Sequence, residues 1–303
     1  MKNRIAILDL GTNTFHILIA ETGMVSPEII FCETIAVKLG EGGIGQGIIN
    51  AAATERGLRA LHKFRQQIDQ YEVKEIRAVA TSALRTASNG KEFLERVKIE
   101  TDIVPQFISG EHEAELIYLG VRQAVNFNQK KALIIDIGGG STEFIICDHN
   151  QLLWKKSFEI GTARLMDKFH HSDPISEQDI EELTSHLNLV LQELKAKLKI
   201  HNPDLLIGSA GAFETFAELS DPGYTNDEYT EFNFDLNKFD QISEWILKSS
   251  HDERSREPAI IPVRVDMIVT ATALTKYILR LYPFKSLKLS KYSLKEGLLF
   301  EGY

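Results

Sequence analysis

The sequence predicts an α/β protein made of two copies of one β-β-β-α-β-α-β-α unit, facing each other across a cleft. Two observations carry this prediction. The stretches "RIAILDLGTNTFHILIA" (4–20) and "ALIIDIGGGSTEFII" (132–146) follow one plan: an apolar run ends in a carboxylate (Asp9, Asp136), a turn rich in Gly and hydroxyl or amide residues follows, and a second apolar run leaves. The order of candidate elements after each hairpin is also the same. The segment joining the copies, "NFNQK" at 126–130, is too short for a linker, so domains of 1–126 and 127–303 should face each other directly.

The elements follow from local pattern. In the first copy, apolar runs predict strands at 4–9, 15–20 and 28–38. A helix at about 50–69 has Asn50 as its cap and Leu58, Leu61, Phe64 and Ile68 on one face. A strand at 76–80, a helix near 88–98, a strand at 102–108 and a helix at about 110–126 complete it. In the second copy, strands are expected at 131–136, 143–147 and 151–160. A long helix at about 176–199 opens on Ser176, with Asp179 three residues on, and is striped by Ile180, Leu183, Leu187, Leu191, Leu194 and Leu198. Strands at 204–208 and 286–290 and a last helix from about 294 finish the unit, with extra helices at about 236–249 and 266–281. The polar, turn-rich segment 219–234 reads as an exposed loop.

Bulk properties bound the function. The chain has 303 residues, enough for two domains, with 43% hydrophobic and 25% charged residues, as in ordinary globular proteins. No apolar run approaches the ~20 residues that span a bilayer. Asp9 interrupts the first apolar run, so no signal peptide is expected, and two cysteines give no disulfide framework. A cytoplasmic, reducing location fits, with no membrane partner. A net charge of −9 argues against a nucleic-acid partner but not against a small polyanion.

A Gly- and hydroxyl-rich turn between strands presents several backbone N–H groups to one point and so forms an anion nest. A carboxylate at the end of the preceding strand can hold a hydrated Mg²⁺ (or Mn²⁺) that meets the phosphate. Asp9 and Asp136 therefore read as metal-side groups, with Glu143 as another acid at the mouth of the second turn. Gly11, Thr12 and Asn13, and Gly138, Gly139, Gly140, Ser141 and Thr142, read as phosphate-side groups. Single Gly-rich hairpins are commonplace; two at matching positions suit adjacent phosphates of one polyanion.

On the helix at 110–126, Leu116, Ile117, Gly120, Val121 and Ala124 gather on one side, with Glu113 in the middle of that arc. Glu111, Glu115, Tyr118 and Arg122 fall on the opposite, solvent side. A glutamate centred in a buried stripe is desolvated and more basic, which suits a general base. The bland alternative is a buried acid paired with an arginine.

The duplicated halves with "DLGTNT" and "DIGGGST" resemble the actin, sugar-kinase and heat-shock chaperone superfamily. Together with "ATSALRTASNG" (80–90), "ISGEHEAELIYLGV" (108–121), "IGSAGAFET" (207–215) and "LSKYSLKEGLL" (289–299), they look like the exopolyphosphatase and guanosine pentaphosphate phosphohydrolase family, in its short two-domain form. The resemblance implies two ribonuclease H-like (actin-like) domains, a catalytic glutamate at Glu113, an arginine at Arg85 that binds phosphate from a loop, and a homodimer. His112 stands where the family has an acid and is the alternative base; Lys295 stands where it commonly has Arg, which keeps the charge and loses the planar fork. Gly208, Ser209 and Gly211 form a third turn that either contacts substrate or closes the cleft. The implied activity is hydrolysis of inorganic polyphosphate or of guanosine pentaphosphate; an ATP-binding kinase or regulatory module is the rival from another class.

Other motifs carry less. Gly40, Gly42 and Gly45 satisfy a dinucleotide fingerprint but lack the βαβ setting, and read as a cleft-edge loop. The pair His170 and His171, with Asp173 nearby, could suggest a metal but does not match a ligand set of defined spacing, and reads as a solvated loop. His16 is expected beside the first nest, and Cys32 and Cys147 in the core.

Overall fold

A computed structural model of the chain describes residues 3–23, 26–209, 211–221, 223, 224 and 229–301. The first half forms β1 (Asn3–Leu10), β2 (Thr14–Thr22), β3 (Glu28–Ala36), α1 (Ala51–Gln70), β4 (Glu75–Ala80), α2 (Ser82–Thr86), α3 (Gly90–Thr101), β5 (Gln106–Phe107) and α4 (Gly110–Ala124). Its sheet runs β3-β2-β1-β4-β5, antiparallel through β1–β3 and parallel from β1 to β4 and β5.

The second half forms β6 (Ala132–Ile137), β7 (Thr142–Cys147), β8 (Leu152–Phe158), α5 (Thr162–Phe169), α6 (Glu177–Val190), α7 (Gln192–His201), β9 (Leu205–Ser209), α8 (Gly211–Ser220), β10 (Glu231–Phe234), α9 (Leu236–Lys248), α10 (His251–Arg256), α11 (Met267–Leu281), β11 (Ser286–Ser290) and α12 (Leu294–Phe300). Its sheet, β10-β11-β9-β6-β7-β8, repeats the first with β10 added at one edge. The chain thus has the duplicated ribonuclease H-like, actin-like architecture expected. Among the described residues, no helix is long and apolar enough to cross a membrane.

Several expectations need correction. The strand expected at 102–108 shrinks to Gln106–Phe107, because Pro105 cannot donate to a ladder. The expected long helix breaks at Leu191, though its stripe of Leu183, Leu187, Leu191, Leu194 and Leu198 stays buried throughout. The Ser176–Asp179 capping box forms as read. Within the expected loop 219–234, of which 222 and 225–228 lie outside the described residues, α8 runs to Ser220 and β10 covers the edge of β11; Phe232 and Phe234 pack edge to face. Cys32 is exposed on β3, the edge strand, and only Cys147 is in the core.

The halves are joined by an exchange of helices. α4, the last helix of the first half, packs on β7 and β8, and α12, the last of the second, packs on β1, β2 and α4. One apolar cluster therefore contains Ile5, Ile7 and Leu18 with Ile134, Ile145 and Ile207, and with Leu116, Val121 and Leu298 between them. This corrects the reading of α4 as one-faced. Tyr118, expected in solvent, is 5% exposed, and its hydroxyl donates to the carbonyls of Asp148 and His149.

The α4–α12 contact is close enough to dictate glycine. A Cβ on Gly297 would sit 1.7 Å from the Leu116 carbonyl oxygen, and one on Gly120 would sit 2.1 Å from that of Ser293. Both obstacles are backbone, so neither helix can yield locally. Gly297→Ala is expected to destabilise the protein by about 2 kcal/mol or more, within the range of overpacking and backbone-displacing changes. Urea unfolding checks this; a midpoint equal to the wild type would show that the helices can part without loss.

Candidate active site

The two hairpin turns meet. Asp9 lies one residue from the end of β1 opposite His16, and Asp136 lies near the end of β6 opposite Glu143. A Cβ on Gly139 would lie 2.3 Å from Asn13 Nδ2, and one on Gly140 would lie 2.8 Å from Thr12 Oγ1. Beneath this junction is a cavity of about 220 Å³, walled by Asp9, Glu113, Asp136 and Glu143 together with Gly11–Thr14 and Gly138–Ser141.

The turns are held open to the cavity by their carbonyls. Thr12 O accepts from Leu39 N and Gly40 N, and Asn13 O from Val37 N and Lys38 N. In the second turn Gly138 O accepts from Thr162 N, Gly139 O from Ala163 N and Gly140 O from Gly161 N, all at the start of α5. Carbonyl and N–H lie antiparallel across a trans peptide, so drawing these oxygens outward aims the next amides, those of Asn13, Thr14, Gly139, Gly140 and Ser141, the other way. That is the arrangement of an anion nest. Gly161 must be glycine here, since a Cβ would meet Gly139 C at 2.4 Å.

The carboxylates are abnormally basic. Burial pushes Asp9 well above the usual range, and neighbouring Glu113 raises it further. Burial brings Asp136 to about 6 although Ser209 Oγ donates to its Oδ2. Glu143 is raised strongly by burial and then by Glu113, and it accepts from Ser157 Oγ at 2.7 Å. Glu113 is raised to about 7 by burial, against the pull of Arg85, whose Nη1 donates to Glu113 Oε2 at 3.0 Å and to Ile108 O at 2.9 Å. Glu113 therefore lines the cavity and is also paired with an arginine.

Asp9 Oδ1 is buried with no hydrogen-bond partner among the described residues. An orphaned carboxylate oxygen is costly unless a cation satisfies it. No group of three or more His, Cys, Asp or Glu side chains forms a metal cage among the described residues. Asp9 and Asp136 could hold an ion that draws its other ligands from water and phosphate, as Mg²⁺ does.

The remaining expected residues divide. Ser209 and Gly211 line the cavity, whereas Gly208 lies under the Phe213 ring, where a Cβ would approach to 2.1 Å, and serves packing. Thr142 also leaves the cavity wall, its hydroxyl donating to Ile160 O. Arg85 sits not in a loop but on α2, and acts on the cavity through Glu113. His112 does not line the cavity; it pairs with Glu115 and Glu301. His16 does line it, between the hydroxyls of Thr14 and Thr34, and is driven down to about 3 by burial and then by Lys295 and Arg264, so it is neutral at ordinary pH. The turn at Ile44–Gln46 reaches α5 across the cleft.

Sequence reasoning left one wall residue without a role and passed over two others. Lys295, left without a role, lies on the wall and pairs with Glu296 at 3.0 Å; burial alone would lower its pKa, but Glu296 raises it above the ordinary lysine range. Arg264, paired with Glu214 at 2.8 Å, and Thr162 were the two passed over. "IGTARL" follows a strand much as "LGTNTF" does, and that likeness was the available signal for α5.

The Ppx/GppA phosphatase family profile matches residues 18–302. The chain belongs to that family. It is 39% identical to an exopolyphosphatase from Cytophaga hutchinsonii, whose crystal structure superposes with a TM-score of 0.96 over 99% of this chain and 98% of that one. The Aquifex aeolicus Ppx/GppA enzyme is 25% identical, with a TM-score of 0.81 over 99% of this chain and all of that one. A Haemophilus influenzae protein named provisionally as an exopolyphosphatase is 27% identical over 98% of this chain and 90% of its own length. Membership makes the chain a phosphoanhydride hydrolase and removes the kinase reading.

The raised carboxylates set a pH dependence. Asp136 moves from 3.8 to about 6 and Glu113 from 4.5 to about 7 on folding, so these two carboxyls hold more protons in the folded chain than in the unfolded one between about pH 4 and 7, while His16, lowered from 6.5 to about 3, holds fewer. The carboxyls' contribution to stability therefore falls as pH rises through that window, and it outlasts the opposing rise from His16, which ends near 6.5. Urea midpoints measured in chelator should be lower at pH 7.5 than at pH 5, and Asp136→Asn should flatten the difference. An unchanged slope in that variant would show that Asp136 ionises freely in the fold.

Proposed function

We propose that the protein is an exopolyphosphatase that removes terminal phosphates from inorganic polyphosphate, with Glu113 as the general base. One observation carries this reading: two outward-pinned turns meet above a cavity whose wall is a buried, basic glutamate. Polyphosphate presents successive phosphates to the two sets of amides, and the cavity, at about 220 Å³, is below the ~300 Å³ of common small-molecule pockets. It suits the end of a chain.

In this reading the amides of Asn13, Gly139, Gly140 and Ser141 hold phosphate oxygens, and Lys295 adds a positive charge. Glu113, near-neutral in pKa, takes the proton of the attacking water while Arg85 fixes its orientation. Asp9 and Asp136 would hold Mg²⁺ or Mn²⁺, which when bound supplies charge neutralisation on the phosphate being displaced. The orphaned Asp9 oxygen supports that assignment. Guanosine pentaphosphate is the second reading. It is favoured by the apolar stretch of wall formed by Ala212, Ile261, Val263 and Met267, which a phosphate chain alone does not need and a nucleoside would use.

Glu113→Gln keeps the size of the side chain but cannot accept a proton, and should lower kcat by roughly 10²–10⁴-fold with binding little changed. In the wild type, kcat/KM should rise with pH through about 7, because the base works deprotonated, and the variant should lose that limb. Glu115→Gln, on the outer face beside Lys155, should be nearly silent. Equal behaviour of the two variants would make Glu113 a structural acid.

Phosphate release should require Mg²⁺ or Mn²⁺ and stop in excess chelator; full turnover there would remove the metal assignment. Comparing long polyphosphate, tripolyphosphate, guanosine pentaphosphate and ATP separates the two substrate readings. With a net charge of −9 and end-on binding, long chains should shorten gradually as a population. Complete degradation of some chains while others stay intact would count against end-on binding.

A further inference from the structure

Ser82 opens α2 and is 2% exposed. Its side chain lies on the cavity wall, and its Oγ is buried with no hydrogen-bond partner among the described residues. A buried hydroxyl without a partner is a standing cost to the fold, and its neighbours show what that cost serves. A Cβ on Gly140 would lie 2.6 Å from Ser82 Oγ and 2.8 Å from Thr12 Oγ1, so the hydroxyl sits where the first and second turns touch. Arg85 follows three residues later on the same face of α2 and holds Glu113. Thr86 Oγ1 donates to Ser82 O at 3.0 Å, which fixes the serine backbone and leaves its side chain to the cavity.

We propose that Ser82 is a substrate-contacting residue whose hydroxyl donates a hydrogen bond to a phosphate oxygen held between the two turns. A phosphate oxygen is an ionised acceptor, and a neutral hydroxyl can supply the bond without adding charge to a site already lined by carboxylates. α2 then does two tasks one helical turn apart: Ser82 holds the substrate's phosphate, and Arg85 holds the base. This assignment rests on the phosphoanhydride reading above and adds a residue to it.

The test compares the full-length wild type with Ser82→Ala in Mg²⁺, using tripolyphosphate as probe. Removing an unpartnered buried hydroxyl should leave the melting temperature of the substrate-free protein unchanged or slightly raised. KM for tripolyphosphate should rise about ten- to a hundredfold, the usual worth of a hydrogen bond to a charged group, with a smaller change in kcat. The melting-temperature gain on adding tripolyphosphate should shrink in step. A fall of several degrees in the substrate-free melting temperature with KM unchanged would make the hydroxyl structural and overturn the proposal. Wild-type kinetics in Ser82→Ala would overturn it alone, leaving the exopolyphosphatase reading intact. A wild type that neither binds nor cleaves tripolyphosphate or longer polyphosphate would overturn both.

Discussion

Four carboxylates, Asp9, Glu113, Asp136 and Glu143, share one small buried volume, and the rest of the site is organised around that crowding. Each is desolvated, and each of Asp9, Glu113 and Glu143 is raised further by an acidic neighbour. Such a cluster cannot be fully ionised on its own. The protein answers with cations placed singly and already committed: Lys295 to Glu296, Arg264 to Glu214, Arg85 to Glu113. The site is thus short of positive charge before any polyanion enters. Under the proposed function, such a cavity would take a phosphate chain together with a divalent cation, since the carboxylates would repel the chain alone.

The helix exchange explains how that crowding is held in register. Glu113 is on α4, from the first half, yet α4 lies against β7 and β8 of the second; Lys295 is on α12, from the second half, yet α12 lies against β1 and β2 of the first. Each half therefore delivers a charged residue onto its partner's sheet. The contact between Gly120 and Gly297 brings the two helices together at backbone distance, so Glu113 and Lys295 are fixed by packing rather than by flexible side-chain reach.

What the sequence made legible were features encoded within one element. Asp9, Asp136 and the two turns are contiguous strings, and Glu113 stands out because its neighbours at helical spacing are apolar. What it hid was set between elements. Tyr118 was assigned to solvent because a helical wheel assumes one buried face, and α4 has two. α2 has five residues and no period to detect, so Arg85 and Ser82 both read as loop residues. Thr142 and Gly208 sit inside motifs whose other members line the cavity, but strand alternation turns Thr142 away and the Phe213 ring covers Gly208.

The least legible part was the start of α5, and it has the largest consequence for the second nest. A glycine-rich turn is floppy by composition, since three consecutive glycines permit many backbone states. Here Gly161, Thr162 and Ala163 each donate a backbone hydrogen bond to one glycine carbonyl, and Arg164 Nε adds a second to Gly140 at 2.9 Å. The glycines supply close approach, and α5 supplies the order that glycine lacks. The first turn gains the same order from the amides of Val37, Lys38, Leu39 and Gly40. In both halves the segment just after the third strand pins the turn between the first two. The duplication thus extends past the two hairpins to the means of holding them, which makes preorganised amides, rather than glycine content, the property the two halves have in common.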